Sequence, residues 1–460
     1  MKNVVSLLVV LLVISSICLT SCGSKGSNQS TSSKNVSSNS QSSNSEGNDN
    51  NQEDTNTGDG EYTYEPVDFE ISASVNFLNG EDYGVFVDET ANSSCNYGLV
   101  NTDGKVTIDS FDEVSSPKDG YVVCKDAEGK YSLYTVDGKM MIKPMYINMT
   151  TPSDGYVLCQ KPNGNIVIST VTGKIVKEFN FSIKKGEMDT DDLLRHFKLE
   201  PFSEGLAFFS LDGMSLCVDT KGNDIFETEL ELKHPYVDGY AVFYERGENS
   251  EGYLVGLDTK GKEVWRKSIY YGHWGDLYFY DEGDIKNIIL YKSSKNKMFG
   301  AIYTSGKEIL PCKYDELSYP GNNKIGFKKY GLWGYMDYNG NEVIKPQFTY
   351  AKGFTGGVAL VKTKDGDYGI INEDGDVQFT CDSDSMTYFD NGLILERGLR
   401  LLDSKGNVIY DADSSENDDA RIYGGSGKVG INYFGGSIFY EWDRSDSPTS
   451  YKYFKLIKNG

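Results

Sequence analysis

The sequence predicts an all-β protein of tandem three-stranded β-meander repeats. About nine repeats are expected, at a period near 35 residues, closing like a β-propeller or running as an open superhelical array. Three observations predict it. Turn glycines recur at Gly104, Gly138, Gly173, Gly222, Gly261, Gly306, Gly340, Gly375 and Gly406, at intervals of 34, 35, 49, 39, 45, 34, 35 and 31 residues, and a sustained period marks a repeat architecture. A ring residue opens a matching stretch before several of those turns, most often followed by Gly, as in Tyr97-Gly98, Phe299-Gly300, Trp333-Gly334 and Tyr368-Gly369, with Tyr131 in the same place. Aromatic residues are plentiful, 33 Tyr, 22 Phe and 4 Trp, which suits strands.

Taken in order, the chain opens with a segment that is not part of the fold. Met1-Lys2-Asn3 carries one positive charge, Val4 to Ile17 is almost wholly apolar, and Leu19-Thr20-Ser21-Cys22 follows. A charged start, an apolar core and small residues before a cut describe an export signal over residues 1–21. Residues 22–60 are dominated by Ser, Asn, Gln, Gly and Asp, a composition that cannot bury enough surface to offset ordering entropy. They read as a tether with an r.m.s. span of roughly 35 Å. Residues 61–460 form the repeat body.

The body begins with alternation from Val67 to Phe77, apolar at every second position, the pattern of a half-buried strand. Within each repeat, the first strand follows an acidic-Gly or Asn-Gly turn, such as Asp154-Gly155, Glu204-Gly205, Asp238-Gly239 or Asn391-Gly392, and is continuously apolar. Such a strand is buried on both faces. The second carries the ring and glycine, where the missing side chain admits a close neighbour. The third follows the turn glycine and ends at Pro144, Pro311 or Pro346, because proline cannot donate to a ladder. One insertion, Thr190 to Lys198, predicts a short helix with Leu193, Leu194 and Phe197 on one face. The orphan stretch Val67–Phe77 is expected to pair near Tyr451–Ile457 if the array closes, which removes sheet edges.

The run Trp333-Gly334-Tyr335-Met336-Asp337-Tyr338-Asn339-Gly340-Asn341-Glu342-Val343-Ile344-Lys345-Pro346-Gln347-Phe348 resembles the WG-repeat family of bacterial proteins, as does Phe354 to Val361 after it. At Gly173, Gly222 and Gly406 the ring is replaced by Ile166, Ser215 and Leu399, so the register of those units stays open. The resemblance implies β-repeats, often on exported proteins, and implies no shared activity. The leader resembles a lipoprotein lipobox, Leu19-Thr20-Ser21 before Cys22. That resemblance implies a palmitate-type lipid on Cys22 and an extracytoplasmic protein anchored to the bacterial cell membrane.

Charge and composition narrow the function. Removing the leader with Lys2 leaves 44 − 68 = −24 against −23 for the whole chain, a surface that disfavours nucleic acid. Cys95, Cys124, Cys159, Cys217, Cys312 and Cys381 contain no C-x-x-C pair. Cys124 and Cys159 occupy matching slots and read as small core residues, with a disulfide between them as the alternative. No catalytic, metal or cofactor site is expected. His196, His234 and His273 are scattered, and Gly425 to Gly430 matches G-x-G-x-x-G without a helical pattern behind it. Acid-rich turns such as Asp374-Gly375-Asp376 lack a full calcium loop. Tyr271, His273 and Trp274 form a candidate ligand platform for sugar or peptide. The leading expectation is a non-enzymatic binding or scaffold module for protein or cell-wall glycan. An extracytoplasmic enzyme with an acidic-aromatic pocket built by the repeats is the alternative.

Overall fold

The protein is seen in a computed structural model that describes residues 62–76, 82–88, 96–181, 194–248, 250–270, 277–282, 285–381, 384–412, 429–433, 435–443 and 449–459. Among them, strands form ten small antiparallel sheets arranged as a β-propeller. In chain order the blades span residues 74–111, 113–146, 148–179, 197–228, 231–270, 277–314, 324–348, 350–381 and 386–411, and blade 10 unites Val429–Lys458 with Tyr62–Val67. Blade 7 has three strands and every other blade has four.

The expected three-stranded unit therefore gains a short first strand. In blades 2, 3 and 8 that strand is only two residues long, Glu113–Val114, Asn148–Met149 and Tyr350–Ala351, too short for its alternation to be read. The tenth blade escaped the count of turn glycines because its fourth strand comes from the other end of the chain, so no hairpin joins its third and fourth strands. All nine counted glycines have φ between 77° and 91°, as their turns require.

Closure runs through a different stretch from the one expected. Tyr62–Val67 pairs with the last strand, from Tyr62 opposite Lys458 to Val67 opposite Tyr453. The alternating stretch beyond it breaks up: Ser74–Asn76 is the first strand of blade 1, and Phe77 lies outside the described residues. The alternation reported burial truthfully, since Val67, Phe69, Ile71, Ala73 and Val75 all face one apolar cluster. That cluster joins blade 1 to Ile438, Tyr440 and Tyr453 of blade 10. Another joins Leu393, Leu401 and Ile409 of blade 9 to Ile431, Phe439 and Leu456 of blade 10. Eight further clusters bridge the remaining neighbours in sequence. The seam is also hydrogen-bonded: the Ala73 N–H donates to the Tyr453 hydroxyl at 2.9 Å, while Phe69 stacks on that ring with centroids 4.1 Å apart.

Proline does not end the fourth strand. Met140–Tyr146, Glu308–Tyr314 and Glu342–Phe348 continue past Pro144, Pro311 and Pro346. In blade 7, Trp333 lies opposite Phe348 and Tyr335 opposite Ile344, with the register broken between them. The proline therefore sits in a bulge, where its missing N–H costs no ladder bond. Gly334 faces that bulge: a methyl added there would lie 2.5 Å from the Ile344 carbonyl oxygen and 2.7 Å from the Pro346 nitrogen. The degenerate units lack this break: Ile166 lies opposite Phe179 and Ser215 opposite Thr228, with one register shift in each pairing, next to the turn.

The inserted helix ends earlier than expected. Residues 194–196 are helical and Phe197–Ser203 is already a strand, with Phe197 buried in the blade 3–blade 4 core. Apolar burial between blades outcompetes helix extension there, and Thr190 to Leu193 lie outside the described residues. Cys124, Cys159 and Cys217 are free buried thiols. Cys124 and Cys159 face different interfaces, blade 1–blade 2 and blade 2–blade 3, which settles the slot as core packing.

Candidate functional site

The acidic turns are self-contained. Asp337 Oδ1 accepts from the N–H groups of Asn339 and Asn341 at 2.9 and 2.8 Å, and Asp219, Asp258 and Asp403 repeat the arrangement. Such turns occupy their own carboxylates, and no group of three or more metal-ligating side chains is found among the described residues. The other acidic turns link blades: the Gly205 N–H donates to Asp154 at 2.7 Å and the Gly239 N–H to Glu204 at 2.8 Å.

The signature rings open the third strands, and four of them carry a lysine directly across the ladder. Lys125 lies opposite Tyr131, Lys292 opposite Phe299, Lys328 opposite Trp333 and Lys362 opposite Tyr368. Their ammonium groups stand 5.8, 5.2, 5.8 and 4.5 Å from the ring centres. In blades 2 and 7 a carboxylate joins them, Glu113 from the first strand of blade 2 and Glu316 from the connection leading into blade 7: Lys125 donates to Glu113 and Lys328 to Glu316, both at 2.7 Å. The Glu113 hydrogen bond raises the Lys125 pKa. Burial, helped by the Glu113 charge, raises that of the Tyr131 phenol.

These rings border two repeat-related clefts. One of about 310 Å³ is lined by Tyr97, Glu113, Ser115, Tyr131, Met149 and Thr151 across blades 1, 2 and 3. The other, about 390 Å³, is lined by Ser318, Trp333, Ala351, Lys352, Thr355 and Tyr388 across blades 7, 8 and 9. Ser115 answers to Ser318 within the repeat: each hydroxyl accepts a second-strand N–H, from Val123 at 3.0 Å and from Gly326 at 2.9 Å. Tyr388 supplies a buried phenol oxygen with no hydrogen-bond partner among the described residues, and burial raises its pKa. The Lys352 ammonium sits 5.7 Å from the Tyr388 ring centre. A third cleft of about 280 Å³ lies at blades 4 and 5 and holds Lys198, Glu200, Ser210, Asp212 and His196. There His196 Nδ1 and Asp212 Oδ1 are 2.5 Å apart, and desolvation raises the Glu200 pKa against a smaller opposing effect of Lys198.

The predicted sites divide accordingly. Tyr97, Tyr131 and Trp333 border clefts, while Phe299 and Tyr368 pack with their lysines outside them. Gly98, Gly300 and Gly334 lie where a methyl would meet fourth-strand backbone within 2.8 Å, whereas at Gly369 the nearest atom is 3.4 Å away. Leu19, Thr20, Ser21, Cys22, Tyr271, His273 and Trp274 lie outside the described residues. The lysines and Tyr388 were missed, although a lysine ending the second strand shortly before each of those rings was visible in the sequence.

No curated protein matches the chain. Several solved structures match at low identity. BamB from Moraxella catarrhalis is 13% identical, covering 66% of this chain and 95% of that one, with a TM-score of 0.32. A eukaryotic initiation factor is 12% identical, covering 75% and 89%, with a TM-score of 0.41. The C-terminal WD40 domain of Sif2 is 12% identical, covering 85% and 98%, with a TM-score of 0.32. At these values the likeness says nothing about function. Residues 97–131, 299–333 and 333–366 each match the family model described as WG containing repeat.

Proposed function

We propose that this protein is a non-enzymatic binding or scaffold module for a protein or cell-wall glycan, held at the cell surface by a lipid on Cys22 and a flexible tether. The observation that carries the reading is the pair of repeat-related clefts, at Tyr131 and at Trp333. Each offers a ring edge, hydroxyl groups and a charged side chain, the set that recognises sugars and polar peptides. The second adds the unpartnered Tyr388 oxygen, which a ligand hydroxyl or amide would satisfy. Repeats presenting similar weak sites gain affinity through multivalency. The lipobox-like leader supports the anchor and the location.

The enzyme reading is favoured by one observation, the blade 4–blade 5 cleft with its raised Glu200 beside the His196–Asp212 pair. Such a constellation suits proton transfer. Incubating the mature protein with purified cell-wall material separates the two. Retention on the wall without release of soluble sugar is the expected result. Sugar release that disappears in Glu200→Gln would overturn it.

A further inference from the structure

The Trp333 cleft differs from its counterpart at Tyr131 in the hydrogen-bonding groups that it leaves open. Lys352 is half-buried on its wall. Among the described residues its ammonium donates only to the Asp384 backbone carbonyl, at 3.4 Å, and stands 5.7 Å from the Tyr388 ring centre. The buried Tyr388 hydroxyl has no partner among the described residues, and a buried donor left unmade is costly. The half-buried Thr355 also lines the cleft, and its hydroxyl makes no hydrogen bond among the described residues. Ser318 is already occupied: its Oγ accepts the Gly326 N–H at 2.9 Å and donates to the Tyr319 carbonyl at 3.3 Å.

The Tyr131 cleft has no such opening. Lys352 stands five residues before the turn residue Gly357, and the same step back from Gly155 reaches Thr150. Thr150 is buried, and its hydroxyl accepts the Leu158 N–H at 3.0 Å.

The open groups define a ligand. Lys352 and Tyr388 both donate, so they call for a shared acceptor with two lone pairs, while the Thr355 oxygen can accept. Trp333 and Ala351, 7% and 6% exposed, add apolar surface. Net charge is not selected. Asp315 and Asp384 are exposed on the connections into blades 7 and 9 and offset the lysine, and Glu316 is held by Lys328. A secondary amide bearing a methyl group meets the donors, the acceptor and the apolar wall together.

We propose that the Trp333 cleft seats the acetamido group of an uncharged N-acetylated sugar, a proposal that rests on the binding role above and names its ligand class. The acetamido oxygen accepts from Lys352 and Tyr388, its N–H donates to Thr355, and its methyl lies against Trp333 and Ala351. The exposed Tyr319 ring at the cleft packs on the sugar ring. A peptide amide fits less well. Extended peptides bind by adding to a strand edge, and the first strand here, Tyr350–Ala351, is two residues long.

The test is calorimetric titration of the mature protein with triacetylchitotriose and with cellotriose, which has the same linkage but hydroxyls in place of acetamido groups. Deacetylated chitotriose and N-acetyl-trialanine amide complete the set. Triacetylchitotriose should bind at one site per chain, with less than twofold change between low and high salt, and the other three at least tenfold more weakly. Lys352→Met, which keeps the stem and removes the ammonium, should lose at least fivefold. Lys139→Met, on an exposed turn outside both clefts, should stay within twofold. Cellotriose or the peptide binding as tightly as triacetylchitotriose would overturn the proposal, as would undiminished binding by Lys352→Met. Retention of the native protein on wall material without binding of triacetylchitotriose would leave the binding role standing and overturn this ligand. Failure of both would overturn both.

Discussion

Lys328 lies directly opposite Trp333 in blade 7, its ammonium 5.8 Å from the ring centre and 2.7 Å from the Glu316 carboxylate. The ring is 7% exposed and packs with Tyr335, Ile344, Phe348 and Phe354 at the blade 7–blade 8 interface. The signature ring is thus chiefly a joint between blades, and the lysine covers its remaining face. Trp333→Ala should lower unfolding free energy by about 3–5 kcal/mol. Lys328→Ala should cost less than about 1 kcal/mol, since exposed ion pairs and ring contacts are weak. Urea unfolding of both variants checks the ordering.

The signature glycines should not be equivalent. Gly334→Ala places a methyl 2.5 Å from a backbone oxygen and should destabilise by about 1–3 kcal/mol. Gly369→Ala meets its nearest neighbour at 3.4 Å and should be neutral or stabilising by about 0.5 kcal/mol, because alanine loses less backbone entropy in a strand. Equal effects in chemical denaturation would contradict the bulge packing.

Closure makes its own prediction. Tyr64, on the strand that completes blade 10, meets the rings of Tyr410, Phe439 and Phe454 edge-on at 5.1, 5.9 and 5.5 Å. Tyr64→Ala should cost about 3 kcal/mol. An unchanged melting temperature would mean that this strand does not hold the ring closed.

The buried thiols set the alkaline limit. Burial pushes Cys124 and Cys217 up from 9.0 to about 12, and Tyr146 is raised from 10.0 to about 12. Between the unfolded and folded values the native state holds more protons, so stability is intact below about pH 9 and falls as pH rises towards 12. Each thiol contributes up to about 1.4 kcal/mol per pH unit across that window. Unfolding curves at pH 8 and pH 10.5 should show the loss. In the native protein at pH 8 the thiols of Cys124, Cys159 and Cys217 should not react with a disulfide reagent, and they should react once it is denatured.

The repeat was legible because a backbone requirement fixes it: Gly104 through Gly406 must take positive φ, and no other residue serves as well at nine matched turns. What crosses between strands or blades was not. Lys328 and Trp333 pair through a two-residue turn, Lys292 and Phe299 through a longer loop, so no single spacing exposes the partnership. The Trp333 cleft draws Ser318, Lys352 and Tyr388 from three blades, and blade 10 joins the two ends of the body. Val67 to Ile71 carried the right burial pattern but overstated the strand, because irregular backbone that faces a core alternates too.

The most direct measurement of the binding role is retention on cell-wall material by Tyr388→Phe. Removing a buried hydroxyl that has no partner should leave stability unchanged or raise it by about 1 kcal/mol, so any loss of binding cannot be blamed on unfolding. The variant should be at least as stable as the native protein and be retained at least fivefold less. Undiminished retention by this variant would contradict the assignment of the Trp333 cleft as a ligand site.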